Sequence, residues 1–239
     1  MLSKKLIAII GCFFFLLSCK EELKLEFSDI NVSTDNNDLV EVNIPFVTGN
    51  TLISDKINAA ISKNVITALH IGNAESITSK SIEESIAIFN QEYDTFKTDF
   101  PETVAEWEAQ IDGEVMFQSS EIISLAITKY TFTGGAHGIL TITFLNFNAQ
   151  TGNSIENIEL FNNLKSFKTL AKTYFDKTVT DKNTLFEPEN FELPANLGYN
   201  DEGIVLLYNT YEIAPYSTGI IEFLVPFEEA KPYLVFNSL

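Results

Sequence analysis

The spacing of hydrophobic residues changes along this chain, and each change marks an element. Val40, Val42 and Ile44 alternate with Glu41 and Asn43, the period of a half-buried strand that Pro45 closes or places at a sheet edge. Ile53, Ile57, Ile61, Val65 and Leu69 then recur every four residues, a helical stripe that Gly72 is placed to end. A second helix opens on the capping box Ser81-Ile82-Glu83-Glu84, and Ile82, Ile86, Phe89, Tyr93, Phe96 and Phe100 share its apolar face before Pro101 stops it. Packing on the protein's own sheet is the expected use of that face; a seam for a partner is the other.

From Ala105 the period drops to two. Ala105, Trp107, Ala109, Ile111, Val115 and Phe117 face one way, and Glu106, Glu108, Gln110, Asp112 and Glu114 the other, as in a long antiparallel strand with a bulge at Gly113. The acidic row reads as a solvated face, because calcium needs ligands converging from a turn and a strand spreads them out. Ile122 to Phe132 and Ile139 to Phe147 predict two more strands, and Asn148 to Asn153 a turn with Gly152 at positive φ. Leu164, Phe167, Leu170, Ala171, Tyr174, Phe175 and Val179 mark a third helix, its outer face carrying Lys165, Lys168, Lys172 and Lys177. Phe191-Glu192-Leu193 and Ile204 to Tyr208 read as strands around the turn at Tyr199–Gly203, and Ile220 to Val225 as the last strand, with a short helical segment near Glu228-Glu229-Ala230. The class is α+β: an N-terminal strand and two helices packed with a mainly antiparallel sheet that carries a further helix.

The N-terminus has a different character. Lys4-Lys5, the apolar run from Leu6 to Leu17 and Leu16-Leu17-Ser18-Cys19 form a charged, a hydrophobic and a small-residue region in the order of a secretory leader. The run is too short to span a bilayer, which takes about 20 residues, and the cysteine makes the site resemble a bacterial lipobox with Cys19 lipidated. An ordinary leader followed by an unrelated cysteine is the alternative. Lys20-Glu21-Glu22 look like the acidic signal that sends Bacteroidota-type lipoproteins to the cell surface, or a solvated tether. The expected organisation is a leader at 1–18, a flexible tether at 19–38, a partner domain at 39–112 and a C-terminal domain at 113–239. The protein is expected to be exported and lipid-anchored to the outer membrane.

Charge and composition narrow the function. The net charge is −18 with every basic residue a lysine, and it becomes more negative without Lys4 and Lys5. Nucleic acid is thereby unfavoured as a partner, and two-pronged recognition of anions lacks the arginine fork. With Cys12 in the leader and Cys19 acylated, no thiol is left for a disulfide. The chain holds two histidines, so no zinc set is expected, and no motif points to a cofactor.

Candidate chemistry gathers in two loops. Thr133-Gly134-Gly135-Ala136-His137-Gly138 holds three of the eleven glycines and joins two strands, so Gly134, Gly135 and Gly138 serve geometry and His137 stands at a sheet end. Tyr211-Glu212-Ile213-Ala214-Pro215-Tyr216 is aromatic, and Tyr211, Glu212, Pro215 and Tyr216 are binding candidates with His137; rings on a rigid loop give contact area at little entropic cost. Those rings could instead fix the loop on the sheet. If the loops meet, His137 could act as acid or base with Glu212 as partner; with no nucleophile motif in the chain, a ring bonded to loop backbone is the expected alternative. No residue is assigned as catalytic. His70, near a helix end, reads as a C-terminal dipole contact.

Together the passages Tyr130–Gly138, Tyr211–Tyr216 and Gly219–Pro226, with Thr151-Gly152 and Leu160-Phe161 between them, resemble the RsiV-like extracellular domain. The resemblance covers roughly Val115 to Leu239, and the preceding strand and helices look like that domain's usual partner. It implies lysozyme binding, as in RsiV-type proteins, or binding of peptidoglycan or another envelope glycan, since a similar region precedes the catalytic domain of PdaC-type peptidoglycan deacetylases. A hydrolase using His137 is the third reading. Neither a cytoplasmic sigma-binding segment nor a deacetylase motif is read in these residues, so a departure from both types is expected.

Overall fold

A computed structural model describes residues 24–35, 37–102 and 105–237. The leader, the acylation candidate Cys19 and Lys20-Glu21-Glu22 lie outside the described residues.

Chain order and sheet order coincide in the first sheet: β1 (Glu26–Asn31), β2 (Val40–Thr48), β3 (Glu108–Gln118), β4 (Ile122–Phe132) and β5 (Ile139–Asn148) are successive neighbours. All pairs are antiparallel except β2 with β3, which run parallel. That exception follows from the period change after β2, because two helices, α1 (Thr51–Leu69) and α2 (Ile82–Asp99), carry the chain back to start β3 in the same direction. Their stripes pack on Val42, Ile44, Ala109, Ile111, Leu125 and Ile127 to make the first core. The aromatic end of α2 closes around Trp107, with ring centroids at 5.7 Å for Phe89 and Tyr93 and 5.2 Å for Phe96. The α2 stripe therefore packs on its own sheet.

The second sheet is an antiparallel meander of β6 (Asn196–Tyr199), β7 (Gly203–Tyr208) and β8 (Ile221–Pro226). Helix α3 (Leu164–Thr178) buries Phe167, Ala171 and Phe175 against it, and a single turn, α4 (Phe227–Ala230), follows β8. The fold is α+β with two mainly antiparallel sheets, as the periodicities predict.

Some expectations need correction. Order begins before Leu39: β1 lies inside the stretch 19–38 expected to be a tether, and Leu25 joins the first core. Its sequence, Glu-Phe-Ser-Asp-Ile-Asn, is polar because an edge strand leaves one side in water. The expected division between 39–112 and 113–239 falls within β3. Helix α1 ends at Leu69 with His70 in extended conformation, and Gly72 takes its positive φ beyond that end. The capping box at α2 is shifted by one residue: Ser81 Oγ accepts from the Glu84 N–H at 3.1 Å, while Glu84 Oε2 accepts from the Lys80 N–H at 2.7 Å. Phe191-Glu192-Leu193 forms no strand, and β6 starts at Asn196.

The bulge lies three residues past Gly113. Pairing of β3 with β4 runs to Val115↔Leu125 and resumes at Phe117↔Ser124, so Met116 is the extra residue. One inserted residue reverses the parity of everything after it. Phe117 consequently leaves the face of Ile111 and enters the second core, where its ring stacks 5.9 Å from Tyr199. Gly113 has a different purpose: a Cβ there would sit 2.5 Å from Pro45 Cδ and 3.0 Å from Ile127 Cδ1. It admits the Pro45 ring just past the last β2–β3 pair, Asn43↔Asp112. Gly113→Ala is therefore expected to cost about 2 kcal/mol through overpacking, read as a lower urea midpoint at unchanged slope. A variant as stable as the parent would show that Pro45 shifts freely.

Candidate functional site

Each loop is positioned by strand ends. Thr131↔Ile139 is the last β4–β5 pair, and the six residues Thr133 to Gly138 lie in the turn beyond it, with Gly134 and Gly135 at φ +97° and +98°, where side chains are strained. Gly138 is required for space: a Cβ would lie 2.4–2.5 Å from the Tyr130 ring. The second loop leaves β7 after Tyr208 and returns at Ile221. Pro215 starts its short 3₁₀ turn, Tyr216–Thr218, and Gly219 closes it at φ +76°.

Asparagines bring the loops together. Asn209 accepts from the Ile142 N–H through Oδ1 and donates to the Ile142 carbonyl through Nδ2, both at 2.8 Å. Asn196 Oδ1 accepts from the Phe144 N–H at 2.9 Å. Behind them Asn146 Nδ2 donates to the Leu197 carbonyl at 2.7 Å, Ser124 Oγ donates to Asn146 Oδ1 at 2.6 Å, and the Tyr199 N–H donates to Ser124 Oγ at 3.1 Å. A side-chain amide carries the same donor and acceptor as a peptide group, so this seam continues the ladder of β5 where no strand reaches it. The signal was in the sequence: Asn146, Asn196 and Asn209 interrupt or border apolar runs, and buried amides need partners.

With the sheets joined, Tyr216 lies on His137. Their ring centroids are 3.7 Å apart at 18°, and Tyr216 Oη donates to the Gly138 carbonyl at 3.2 Å. His137 Nδ1 is 3.0 Å from the same carbonyl, which can only accept, so Nδ1 carries a proton and Nε2 is the nitrogen left available. Tyr211 extends the cluster, its ring 5.8 Å from Tyr216. The two tyrosines are 53% and 38% exposed. Tyr211 has φ 70°, the one positive value outside glycine among the described residues.

Glu212 plays another part. Its Oε1 accepts from the Ala195 N–H and its Oε2 from the Asn209 N–H, both at 2.8 Å, which pins the loop to the segment before β6. The structure thus joins His137 with Tyr216 and Tyr211, and places Glu212 and Pro215 as supports. His70 also differs from its expected role, since Nε2 meets the Asn73 carbonyl at 2.9 Å and Ser76 Oγ at 3.1 Å, fixing the turn after α1. Ser76 Oγ itself donates to the Asn73 carbonyl, so the ring is not arranged to take its proton. Among buried hydroxyls, burial first and nearby carboxylates second push the Tyr199 and Tyr208 pKa values above the usual tyrosine range, and Tyr208 Oη donates to the Glu192 carbonyl.

Residues 32–140 match the family described as Deacetylase PdaC, and residues 150–228 match the Protein of unknown function (DUF3298). The two matched stretches follow one another along the chain. No curated protein matches the chain. Among solved structures, the fold is similar to that of a DUF3298 family protein from Pseudomonas aeruginosa PAO1, with TM-score 0.60 and 16% identity over 90% of this chain and 95% of that one. A member of the same family from Bacteroides fragilis NCTC 9343 is also similar, with TM-score 0.59 and 19% identity over 90% and 94%. His137 and its glycines lie in the stretch similar to PdaC, while Tyr211, Glu212, Pro215 and Tyr216 lie in the stretch similar to DUF3298. The aromatic cluster is therefore shared between the two, and the β5 seam is what brings its halves into contact.

Proposed function

We propose that this protein is an exported, lipid-anchored binding module of the cell envelope, and that His137, Tyr216 and Tyr211 centre a docking surface for lysozyme. The observation that carries the reading is Tyr211: a tyrosine at positive φ costs about 1–2 kcal/mol, and here its ring stands mostly in water. Strain retained to hold an apolar ring outward favours recognition over packing. Three further features support it. The net charge of −18 would steer a strongly basic protein such as animal lysozyme toward the surface. The resemblance to RsiV-type domains points to the same partner, and the Leu16–Cys19 lipobox would supply the anchor. Among the described residues no helix is long and apolar enough to cross a membrane.

The exposed, tilted tyrosine pair also favours a second ligand class, because rings of that kind stack on sugar faces; peptidoglycan or another envelope glycan is that alternative. The name of the PdaC family brings a third reading, deacetylation or another hydrolysis, which would rest on His137 Nε2, since both oxygens of Glu212 are bonded to backbone amides. Capture of lysozyme by the purified protein is expected at low salt and is expected to weaken steeply as salt is raised. Absence of capture at low salt removes lysozyme, and sedimentation with purified peptidoglycan then decides for the glycan. Turnover of an acetylated glycan that disappears in a folded His137→Ala variant would replace docking with catalysis.

A further inference from the structure

We propose that the cavity between α3 and the segment 185–192 binds a small substituted ammonium ion, with its alkyl groups against aromatic rings and its charge facing carboxylates. The cavity encloses about 290 Å³, at the small end for ligand sites. Its wall is aromatic: Phe175 of α3 packs 5.0 Å from Phe191 and 5.8 Å from Tyr208, centroid to centroid, and Phe186 lies at the rim, 57% exposed. A hydrogen bond from the Phe186 N–H to the Ile213 carbonyl, at 2.9 Å, holds the rim in place. None of His137, Tyr211 and Tyr216 lines this cavity, so the inference does not depend on the docking surface.

Charge selects the ligand class. Glu187, Glu192 and Glu212 all contribute to the lining, and Lys168 pairs with one of them, Glu192, at 2.6 Å. Glu212 is held by amides and Glu187 by Asn190 Nδ2, bonds that keep the carboxylates in position without cancelling their charge. An anion is repelled from such a site, and a neutral ligand gains only apolar burial. A bare ammonium keeps its water, whereas an alkylated one sheds it easily and is attracted to ring faces.

Choline, its uncharged isostere neohexyl alcohol, and the anion tert-butylacetate share one shape and separate the possibilities. In titrations of the purified protein followed by amide NMR, choline is expected to shift Glu187, Asn190 and Ile213 saturably, with neohexyl alcohol roughly tenfold weaker and tert-butylacetate without effect. Phe186→Ala and Glu187→Gln, both at exposed positions, are each expected to weaken choline roughly three- to tenfold while the remaining spectrum stays unchanged. Failure of choline to produce a saturable shift overturns the proposal. So does equal affinity for the neutral isostere, or choline binding unaltered in both variants.

Discussion

Replacing Asn196 and Asn209 together by alanine is expected to lower the unfolding free energy by about 3 kcal/mol and the melting temperature by about 6–12 °C. The two side chains satisfy three main-chain groups of β5: the N–H and carbonyl of Ile142 and the N–H of Phe144. Each becomes a stranded donor or acceptor in the double variant. The individual penalty is about 1–3 kcal/mol, and the lower end applies because the Ile142 and Phe144 sites are only part-buried and water can enter. The seam joins the sheets, so its loss should also change how the protein unfolds. Separate transitions for the two sheets, or amide exchange in β6 and β7 ahead of β2 and β3, would show that the asparagines couple them. A double variant that melts with the parent in one transition would mean that apolar contacts such as Phe117 with Tyr199 hold the halves together unaided.

Tyr211→Ala combined with Tyr216→Ala is expected to weaken lysozyme binding roughly a hundredfold, the loss of about 3 kcal/mol that two central aromatic contacts typically carry. Stability should change by no more than about 2 kcal/mol, because Tyr211 is 53% exposed and Tyr216, 38% exposed, gives up a stack on His137 and a bond to the Gly138 carbonyl. This separation of effects distinguishes recognition from scaffolding. Rings that served only to fix the loop would show the reverse, a large drop in melting temperature with affinity intact. The backbone offers a control, since Tyr211→Gly relieves the left-handed strain: it should match or exceed the parent in stability while binding as poorly as Tyr211→Ala. Affinity unchanged in the double variant would move the contact surface away from these loops.

The candidate site was legible as composition and illegible as geometry. Gly134, Gly135 and Gly138 announced an unusual turn and Tyr211 to Tyr216 an aromatic one. Nothing local indicated that the His137 ring would lie on Tyr216, or that Glu212, the natural acid–base partner on paper, would be bonded to Ala195 and Asn209. The first outcome goes with Asn209 reaching a strand 67 residues earlier in the chain, and the second with Ala195, 17 residues before Glu212. Such long-range pairing leaves no periodic trace.

What the sequence determined by itself is whatever one segment can settle from its own side chains. The fourfold stripe of α1, the Ser81 cap, the alternation of β3 and the positive-φ turn at Gly152 are of this kind, because period and cap chemistry act within a few residues. Tertiary structure alone decided which face a residue reaches after a bulge, as with Phe117, and whether a polar stretch finds a strand to pair with, as with β1. It also decided which of several polar side chains would bridge the two sheets. These outcomes turn on parity and on partners distant in the chain, and their free energy exists only once both sides of the contact are in place.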